Sequence, residues 1–418
     1  MHQNWNNCCK FAIIYANILK YKLNTNNMEK KIAPGIFYIG ADDKELDLFE
    51  GQYILPEGIS YNSYVIMDEK IAILDTIDAR KTNEWLENLA EVLQDKTPDF
   101  LVVHHMEPDH SSNVKLIIEK YPDIKIVCSK KAVAMITRFF GVELPDDRLV
   151  VVSDGSKLEL GEHTLQFVSA PMVHWPEVVM SYEPTEQILF SADAFGKFGA
   201  LSYEDPEGWA CEARRYYFNI VGKYGQQVQM LLKKLAGTEV KKICPLHGPV
   251  LDSDLEYYLN TYNTWSSYEP EDKGVFIAYC SLHGNTEEAA LKLASILKSD
   301  AGETVKISTS DLRRDDMAEA IEDAFRYDRL VLAAPTYDGG VMPIMEDFMN
   351  HLKIKNFQRR KVAFIENGTW APMAGKKMVE FMSSLKDIEI ISPVVTVEST
   401  VKPKTVEELK NLANILLS

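Results

Sequence analysis

The stretch DFLVVHHMEPDH, residues 99–110, decides the fold of the first half of the chain. Its apolar run is short and continuous, as in a strand that is covered on both faces. A group of ionisable side chains follows this run at once, and His105, Glu107, Asp109 and His110 form the pattern H-x-E-x-D-H. A strand that ends in a tight turn brings such side chains to one point, so the pattern predicts a metal site.

Three more candidate ligands follow other predicted strands. His174 comes after HTLQFVSA, Asp193 after QILF and His247 after VKKI. Each would be costly to bury without a partner, and a shared metal site explains all of them together. Seven nitrogen and oxygen ligands suffice for two metal ions, with one carboxylate free to bridge them. His104 adjoins His105 on the strand and should face the opposite side, so it is predicted to be an ordinary hydrogen-bonded histidine.

Composition limits the class of protein. The chain has 418 residues, of which 46% are hydrophobic and 26% are charged, so two globular domains are expected. A net charge of −17 excludes nucleic acid and membrane surfaces as expected partners. Six cysteines without a CxxC pair indicate reduced thiols, and we expect a cytoplasmic protein. Residues 1–27 contain no acidic residue and are expected to be a disordered extension, followed by a domain over residues 28–268.

Beyond the polar segment TWSSYEPEDKG, strands and helices alternate regularly, which predicts a doubly wound parallel sheet over residues 269–418. The strand GVFIAYC runs into SLHGNT, a loop that opens a helix and would hold a phosphate at the helix N-terminus. Two later strands open into TYDGG and NGTW, and ligands bind at such carboxyl ends. The loop reads S-x-x-G-N-T, not G-x-G-x-x-G, so the predicted cofactor is FMN.

Aromatic side chains in the two later loops offer faces for a flavin ring, although such residues could instead cap a hydrophobic core. The predicted FMN-binding residues are Ser281, Leu282, His283, Gly284, Asn285, Thr286, Pro335, Thr336, Tyr337, Asp338, Gly339, Asn367, Gly368, Thr369 and Trp370.

The H-x-E-x-D-H pattern with its downstream ligands resembles the metallo-β-lactamase fold, an αββα sandwich whose hydrolase members carry H-x-H-x-D-H and bind zinc. Here Glu107 replaces the middle histidine, and added carboxylate favours iron. This substitution resembles the flavodiiron (A-type flavoprotein) family, in which a metallo-β-lactamase-like domain precedes a flavodoxin-like domain. SYNSYVIMDEKIAILDT, SADAFGKFGAL, ARRYYFNIVGKY and ICPLHGP are also similar to that family, and the resemblance covers the chain from Met28 onwards.

The resemblance implies a ligand set for two iron ions. One ion would be held by His105, Glu107 and His174, the other by Asp109, His110 and His247, and Asp193 would bridge them.

The resemblance also implies a reaction and an assembly. The enzyme would reduce O2 to water and/or NO to N2O, with O2 as the main substrate. The printed sequence contains no paired CxxC motif, so we expect electrons from a separate rubredoxin, reduced deazaflavin or another flavoprotein. A head-to-tail homodimer, or a dimer of such dimers, would place the flavin of one subunit against the iron pair of the other.

Two other functions are compatible with parts of the sequence. The first is a zinc hydrolase with a regulatory flavodoxin domain, and Glu107 argues against it. The second is a flavin electron carrier with a vestigial metal domain, although no ligand position has been lost. Metal content distinguishes these functions from a flavodiiron reductase.

A basic run near the end of the chain is predicted to be solvated, with docking of an acidic electron donor as the alternative. It comprises Lys353, Lys355, Arg359, Arg360 and Lys361.

Overall fold

The structure is a computed structural model that describes residues 30–203, 208–302 and 305–418. The expected N-terminal extension, residues 1–27, lies outside these ranges. Within them, no helix combines the length and the apolar character that a membrane span requires.

The first domain contains two main β-sheets. Its strands are Lys31–Ala33 (β1), Ile36–Tyr38 (β2), Ala41–Asp43 (β3), Leu48–Phe49 (β4), Tyr53–Ile54 (β5), Ile59–Tyr61 (β6), Tyr64–Ile66 (β7), Ala72–Leu74 (β8), Phe100–Val103 (β9), Lys125–Ser129 (β10), Leu149–Val152 (β11), Lys157–Glu159 (β12), Thr164–Ser169 (β13), Val179–Glu183 (β14), Ile188–Phe190 (β15) and Lys242–Cys244 (β16). One sheet has the order β1-β2-β7-β8-β9-β10-β11, and the other has the order β12-β13-β14-β15-β16.

Helices surround this pair of sheets. They are Thr82–Leu93 (α1), Pro108–Ser111 (α2), Val114–Lys120 (α3), Lys130–Phe140 (α4), Trp209–Tyr216 (α5), Gly225–Leu235 (α6) and Leu255–Ser266 (α7). The sequence SYVIMDEKIAILDT predicts two strands that form a hairpin, and β7 and β8 pair antiparallel as expected. Every residue of β9 is buried, as its continuous apolar run predicts. These layers confirm the predicted αββα sandwich.

The sequence EGWACEARRYYFNIVGKYGQQVQMLLKKLAG, residues 207–237, predicts a long helical stretch, but its described part is interrupted. Helix α5 passes into a π-helical turn, Tyr217–Val221, and then into a 3-10 turn, Gly222–Tyr224, before α6 begins. The glycine that starts α6 has a packing role, since a Cβ at Gly225 would lie 2.5 Å from the carbonyl oxygen of Ser266. Close approach to α7 therefore fixes this break, and π-helical turns are frequent near functional sites.

The second domain is a doubly wound sheet. Its strands are Asp272–Tyr279 (β17), Lys306–Asp311 (β18), Tyr327–Tyr337 (β19), Gly340–Val341 (β20), Arg360–Asn367 (β21), Ile388–Ile390 (β22) and Val395–Val397 (β23). Its helices are Asn285–Asp300 (α8), Met317–Arg326 (α9), Pro343–Ile354 (α10), Ala374–Ser383 (α11) and Pro403–Leu417 (α12). The order β18-β17-β19-β21-β22 is that of flavodoxin-like sheets, and it confirms the predicted fold class.

The two domains share one apolar core. Residues of α9, α10 and α11 belong to the same buried cluster as the first domain, whereas α8 and α12 cover the other face of the sheet with a separate cluster. Phe218 of the π-helical turn stacks on Phe325 of α9 with ring centroids 4.3 Å apart. The neighbouring Arg214 makes ion pairs with Glu271 and with Glu322 of α9. The domains are therefore held by both apolar packing and buried charge pairs.

The basic run is only partly solvated, so the prediction is wrong for two of its members. Arg360 is buried, and its guanidinium donates to the carbonyl oxygens of Tyr268 and Phe325. Lys355 is also buried, and its ammonium donates to the carbonyl oxygen of Asn219 in the first domain. Both side chains satisfy backbone carbonyls that the domain packing has removed from water.

Candidate metal centre and flavin site

The seven predicted metal ligands lie together at strand ends of the first domain. Those of H-x-E-x-D-H occupy the turn between β9 and α3, and the other three follow β13, β15 and β16. All seven are buried: His105, Glu107, Asp109, His110, His174, Asp193 and His247. Strands of the two sheets thus deliver the donor groups to one interior point, although the residues are up to 142 positions apart in the sequence.

The ligand atoms form two groups. His105, Glu107, His174 and Asp193 form one, in which Glu107 Oε2 lies 3.2 Å from Nε2 of His105 and 2.9 Å from Nε2 of His174. The other group contains Asp109, His110 and His247. In each group one atom of every residue lies within 4.8 Å of those of the others, which is compatible with a single metal ion per group.

Asp193 faces both groups. Its Oδ2 lies 3.3 Å from Nε2 of His105 and 3.1 Å from Nε2 of His174. Its Oδ1 lies 3.1 Å from Nε2 of His110 and 4.0 Å from Nε2 of His247. A carboxylate with one oxygen directed to each group has the orientation of a bridging ligand.

Several of the donor atoms fit metal ions because they have no hydrogen-bond partner in the described part of the chain. Both carboxylate oxygens of Asp109 and Asp193, both ring nitrogens of His110 and Nε2 of His247 are buried without a hydrogen bond among the described residues. Such orphaned groups are costly in a protein interior, and cations at this point would satisfy them.

Protons compete for the same atoms in the metal-free chain. Burial opposes protonation of His110, but nearby Asp109 and Asp193 outweigh it and raise the pKa of His110 to about 9. Burial is likewise outweighed at His174, whose close contacts with Asp193 and Glu107 raise its pKa to about 9. Metal binding must displace these protons, because only neutral imidazole coordinates a metal.

Hydrogen bonds fix the tautomers of two ligands, and sequence reasoning did not identify these partners. Nδ1 of His105 lies 2.8 Å from Oε1 of Glu177, which also accepts from the backbone N–H of Met106 at 2.9 Å. Nδ1 of His247 lies 2.7 Å from the carbonyl oxygen of Ser60. A proton on Nδ1 leaves Nε2 of each ring free to bind a metal.

His104 faces away from the ligands, as strand alternation predicts. Its Nδ1 lies 2.6 Å from Oδ2 of Asp75, and its Nε2 lies 2.8 Å from Oγ of Ser181. Asp75 also accepts from the backbone N–H of His104 at 2.7 Å. This buried network holds the strand end from which the ligand turn begins.

Aromatic side chains line the other side of the centre. The ring centroid of Phe49 lies 5.5 Å from that of His247, and Tyr216 lies at the same distance. The hydroxyl of Tyr216 is buried without a partner among the described residues. Burial raises the pKa of Tyr216 well above its ordinary value, and the charges of Asp193 and Glu107 add to the shift. The hydroxyl is therefore a protonated donor close to the ligand carboxylates.

The predicted flavin loops enclose a cavity of about 630 Å³ at the carboxyl ends of β17, β19 and β21. Residues of all three loops line it: Ser281, Leu282, His283, Asn285, Thr286, Pro335, Thr336, Asp338, Gly339, Asn367, Gly368, Thr369 and Trp370. Gly284 and Tyr337 are not among the lining residues. Three residues that were not predicted also line the cavity, namely Ala371, Met373 and Ser399.

The cavity fits FMN in size and chemistry. Its volume lies within the usual range for ligand pockets, roughly 300–1,000 Å³. Gly284 precedes α8 with φ of 90°, a conformation that favours glycine. The backbone N–H of Gly284 donates to Oγ of Ser281 at 3.0 Å. Trp370 is 81% exposed and Tyr337 is 43% exposed, so both aromatic rings are available to cover a bound ring system.

A cation that sequence reasoning missed lies beside the predicted phosphate loop. Arg313 follows β18, and its guanidinium donates to the carbonyl oxygen of Ser281 and pairs with Asp311 and Glu287. Its position in the sequence could have indicated this role, because Arg313 comes just after β18, and β18 pairs with β17, the strand that leads into the phosphate loop.

Comparison with known proteins gives matches in both halves. Residues 59–248 match the ODP family beta lactamase model, and residues 276–391 match a flavodoxin domain model. A nitric oxide reductase of Moorella thermoacetica is 30% identical over 88% of this chain and 92% of its own length.

Solved structures extend this likeness. Rubredoxin oxygen:oxidoreductase from Desulfovibrio gigas is 26% identical, with a TM-score of 0.85 over 93% of this chain and 97% of that one. The flavodiiron protein from Giardia intestinalis, 24% identical, shares the fold with a TM-score of 0.84 over 93% of this chain and 95% of its own.

Proposed function

This chain belongs to the flavodiiron protein family, and we propose that it reduces O2 to water and/or NO to N2O, with O2 as the main oxidant. It is an oxidoreductase whose cofactors are FMN and a non-haem pair of iron ions. In this proposal an external donor supplies the electrons.

The observation that carries the proposal is that one chain contains both a buried cluster of four histidines and three carboxylates and a cavity that fits a flavin. A zinc hydrolase would need neither the flavin cavity nor a carboxylate in place of the middle histidine. Glu107 lies against two histidines of its group, where it adds negative charge to one metal position. Harder and redox-active ions such as iron suit a site of this composition.

Each ligand has a role in this proposal. His105, Glu107 and His174 would hold one iron, Asp109, His110 and His247 would hold the other, and Asp193, which faces both groups, would be shared between them. The orphaned oxygens and ring nitrogens of the second group support this assignment. Glu177 and the Ser60 carbonyl keep His105 and His247 in the tautomer that binds metal.

When bound, FMN and iron supply the redox chemistry, since flavin accepts electrons and ferrous ions can transfer them to O2 or NO. The protein's own groups supply a proton donor and a dry site. The Tyr216 hydroxyl, protonated and without a partner among the described residues, can donate a hydrogen bond to an oxygen atom that gains negative charge. Phe49 and Phe198, with ring centroids 5.5 Å apart, pack beside Tyr216 and exclude water.

The proposed active form is a head-to-tail homodimer, or a dimer of such dimers. The flavin cavity lies at the carboxyl ends of the strands of the second domain. Lys355 contacts the first domain, and it follows α10 near the amino ends of the same strands. The eight residues of β17 separate these two edges by about 25 Å. Exposed apolar residues lie beside the cavity at Trp370 and on the first domain at Leu48 and Ile54, as a subunit interface requires.

Mixed dimers provide a direct test of this arrangement. Chains that lack iron because of Glu107→Ala should regain activity when mixed with chains that cannot bind flavin, since each would complete the other. Activity that stays absent in mixed dimers, while dimers are detected by sedimentation, would favour electron transfer within one chain.

The external donor is proposed to be a rubredoxin, a reduced deazaflavin or a flavoprotein, and the protein is proposed to act in the cytoplasm. The printed sequence has no paired CxxC motif that would form a rubredoxin iron site. In the described part of the chain Cys128, Cys244 and Cys280 are buried free thiols, which suits a reducing compartment.

Metal and flavin analysis of anaerobically purified protein tests the function as a whole. We expect about two irons and one FMN per chain, and rapid reoxidation of the reduced flavin on mixing with O2 and, separately, with NO. Glu107→Ala and His174→Ala should abolish reoxidation, whereas His351→Ala, a change on the distant helix α10, should not. Zinc in place of iron, with no oxidant-driven reoxidation, would refute the proposal and favour hydrolysis.

A further inference from the structure

The hairpin of β4 and β5 contacts the metal centre on one side. Leu48 pairs with Ile54 and Phe49 with Tyr53, so the hairpin is a short antiparallel unit. The ring of Phe49 stands perpendicular to that of His247, with centroids 5.5 Å apart. Any shift of the hairpin therefore moves an aromatic wall of the centre.

On its other side the hairpin is held by the flavodoxin-like domain. Nζ of Lys355 lies 2.6 Å from the carbonyl oxygen of Asn219 and 3.4 Å from the hydroxyl oxygen of Tyr53. The Tyr53 hydroxyl donates to the same carbonyl at 3.1 Å. The side-chain amide of Asn219 in turn donates to the carbonyl oxygen of Ala318 in α9, at 3.2 Å. Groups of both domains thus converge on Asn219, between the hairpin and the second domain.

A cation in this position has an energetic cost that simple packing would not require. Lys355 is 8% exposed, and no carboxylate lies within ion-pair distance of it in the described ranges. Burial lowers the pKa of Lys355 to about 8, and the charge of Glu50 only partly opposes this shift. A methionine would fill the same space without a charge to desolvate.

We propose that Lys355 is a positioning residue for the proposed reaction, because it holds the β4–β5 hairpin, and with it Phe49, against the metal centre of its own chain. The inference rests on the proposed function for its catalytic consequence, but the contact between the domains is independent of it. In this arrangement the flavodoxin-like domain carries flavin at one edge of its sheet and shapes its own chain's metal centre from the other.

The test compares three variants of the full-length holoenzyme, each with its iron and FMN content measured. Lys355→Met removes the charge and the hydrogen bonds but keeps the length of the side chain, and Lys355→Arg keeps a donor. Lys353→Met is the matched control, since Lys353 is an exposed lysine in the last turn of α10, two residues before Lys355. Hydrogen exchange is measured at the backbone amides of Gln52 and Leu55, which donate to the carbonyl oxygens of Phe49 and Asp47 in the hairpin. The steady-state constants kcat and KM are measured with O2 and with NO.

Lys355→Met should increase exchange of the hairpin amides by about tenfold, as loss of a hydrogen bond from a buried charge implies. Exchange in β17 and β19 should stay unchanged, KM for the oxidant should change several-fold, and reduction of the flavin by the donor should stay unchanged. Lys355→Arg should restore part of the effect, and Lys353→Met should match the parent. Unchanged hairpin exchange, or an equal increase in β17 and β19, would overturn the inference. If no form of the protein turns over either oxidant, the proposed function fails. The hydrogen-exchange result still decides whether Lys355 holds the hairpin in place.

Discussion

Glu177→Gln should weaken one metal position and leave the other intact. Oε1 of Glu177 accepts from His105 Nδ1 and from the Met106 N–H, and Oε2 has no partner in the described part of the chain. Burial would raise the pKa of Glu177, but the hydrogen bond to His105 lowers it below the ordinary 4.5, so the group is a carboxylate at neutral pH. Glutamine can accept both hydrogen bonds through its oxygen, so the substitution removes the charge but keeps the contacts.

Loss of that charge makes the His105 imidazole a weaker ligand. Substitution of such partners usually lowers metal affinity by about 10–100-fold, or about 1.4–2.7 kcal/mol. The group of Asp109, His110 and His247 has no contact with Glu177 and serves as an internal reference.

Anaerobic titration of the metal-free chain with Fe(II) against a competing chelator measures the two affinities. The parent should bind two ions, and Glu177→Gln should bind the first as the parent does and the second more weakly. Glu159→Gln, an exposed glutamate at the end of β12, is the control. Two affinities within about twofold of the parent values, well below the expected 10–100-fold loss, would refute the assignment of Glu177 as the partner that supports His105.

Three further predictions concern protons, the flavin and the unpartnered hydroxyl. Because the pKa values of His110 and His174 are raised from 6.5 to about 9, their protons stabilise the metal-free fold below pH 6.5, and this contribution is lost as pH rises through 9. Thermal stability of the metal-free chain should therefore fall over that range while its affinity for Co(II) rises, and flat profiles would contradict the proton competition. In Gly284→Ala the new Cβ meets no neighbouring atom, but the φ of 90° strains an alanine backbone. Flavin fluorescence titration should therefore show roughly tenfold weaker FMN binding. Binding as tight as in the parent would show that the loop relaxes. Tyr216→Phe should melt no lower than the parent yet reduce turnover with O2 by about tenfold or more. A lower melting temperature with normal turnover would assign the hydroxyl a purely structural role.

The sequence identified ionisable residues at the ends of predicted strands, and it missed partners such as Glu177 that lack such a position. The H-x-E-x-D-H turn predicts a metal site because ionisable groups at the end of a buried strand have few other uses. Glu177 lies only three residues after His174, but its partner is His105, and no spacing rule links the two. Arg214 belongs to a predicted helical stretch and is in fact buried against Glu271 and Glu322, because the second domain packs there.

The doubly wound second domain was predictable from the regular alternation of strands and helices, and the αββα sandwich was predictable from the family resemblance, whereas the contact between the domains follows from neither. A basic run such as Lys353 to Lys361 indicates a solvated surface when nothing else is known. The structure instead places Lys355 and Arg360 against carbonyl oxygens that the packed domains have removed from water. Tertiary packing thus changes the role of a charged side chain without a change in local sequence pattern.

The carboxylate of Glu107 suits a metal centre that would exchange electrons with a flavin. Two ferrous ions carry four positive charges, and the three carboxylates of the cluster reduce this to a net charge of +1. Removal of one electron from each ion raises the net charge to +3, and with histidine in place of Glu107 these values would be +2 and +4. A unit charge about 4 Å away contributes about 4 kcal/mol at an effective dielectric constant of about 20, so a carboxylate at position 107 would favour the higher oxidation state of ions held there. A hydrolase gains nothing from this effect, because its metal does not change oxidation state. An enzyme that passes electrons from a flavin to an oxidant depends on it at every turnover.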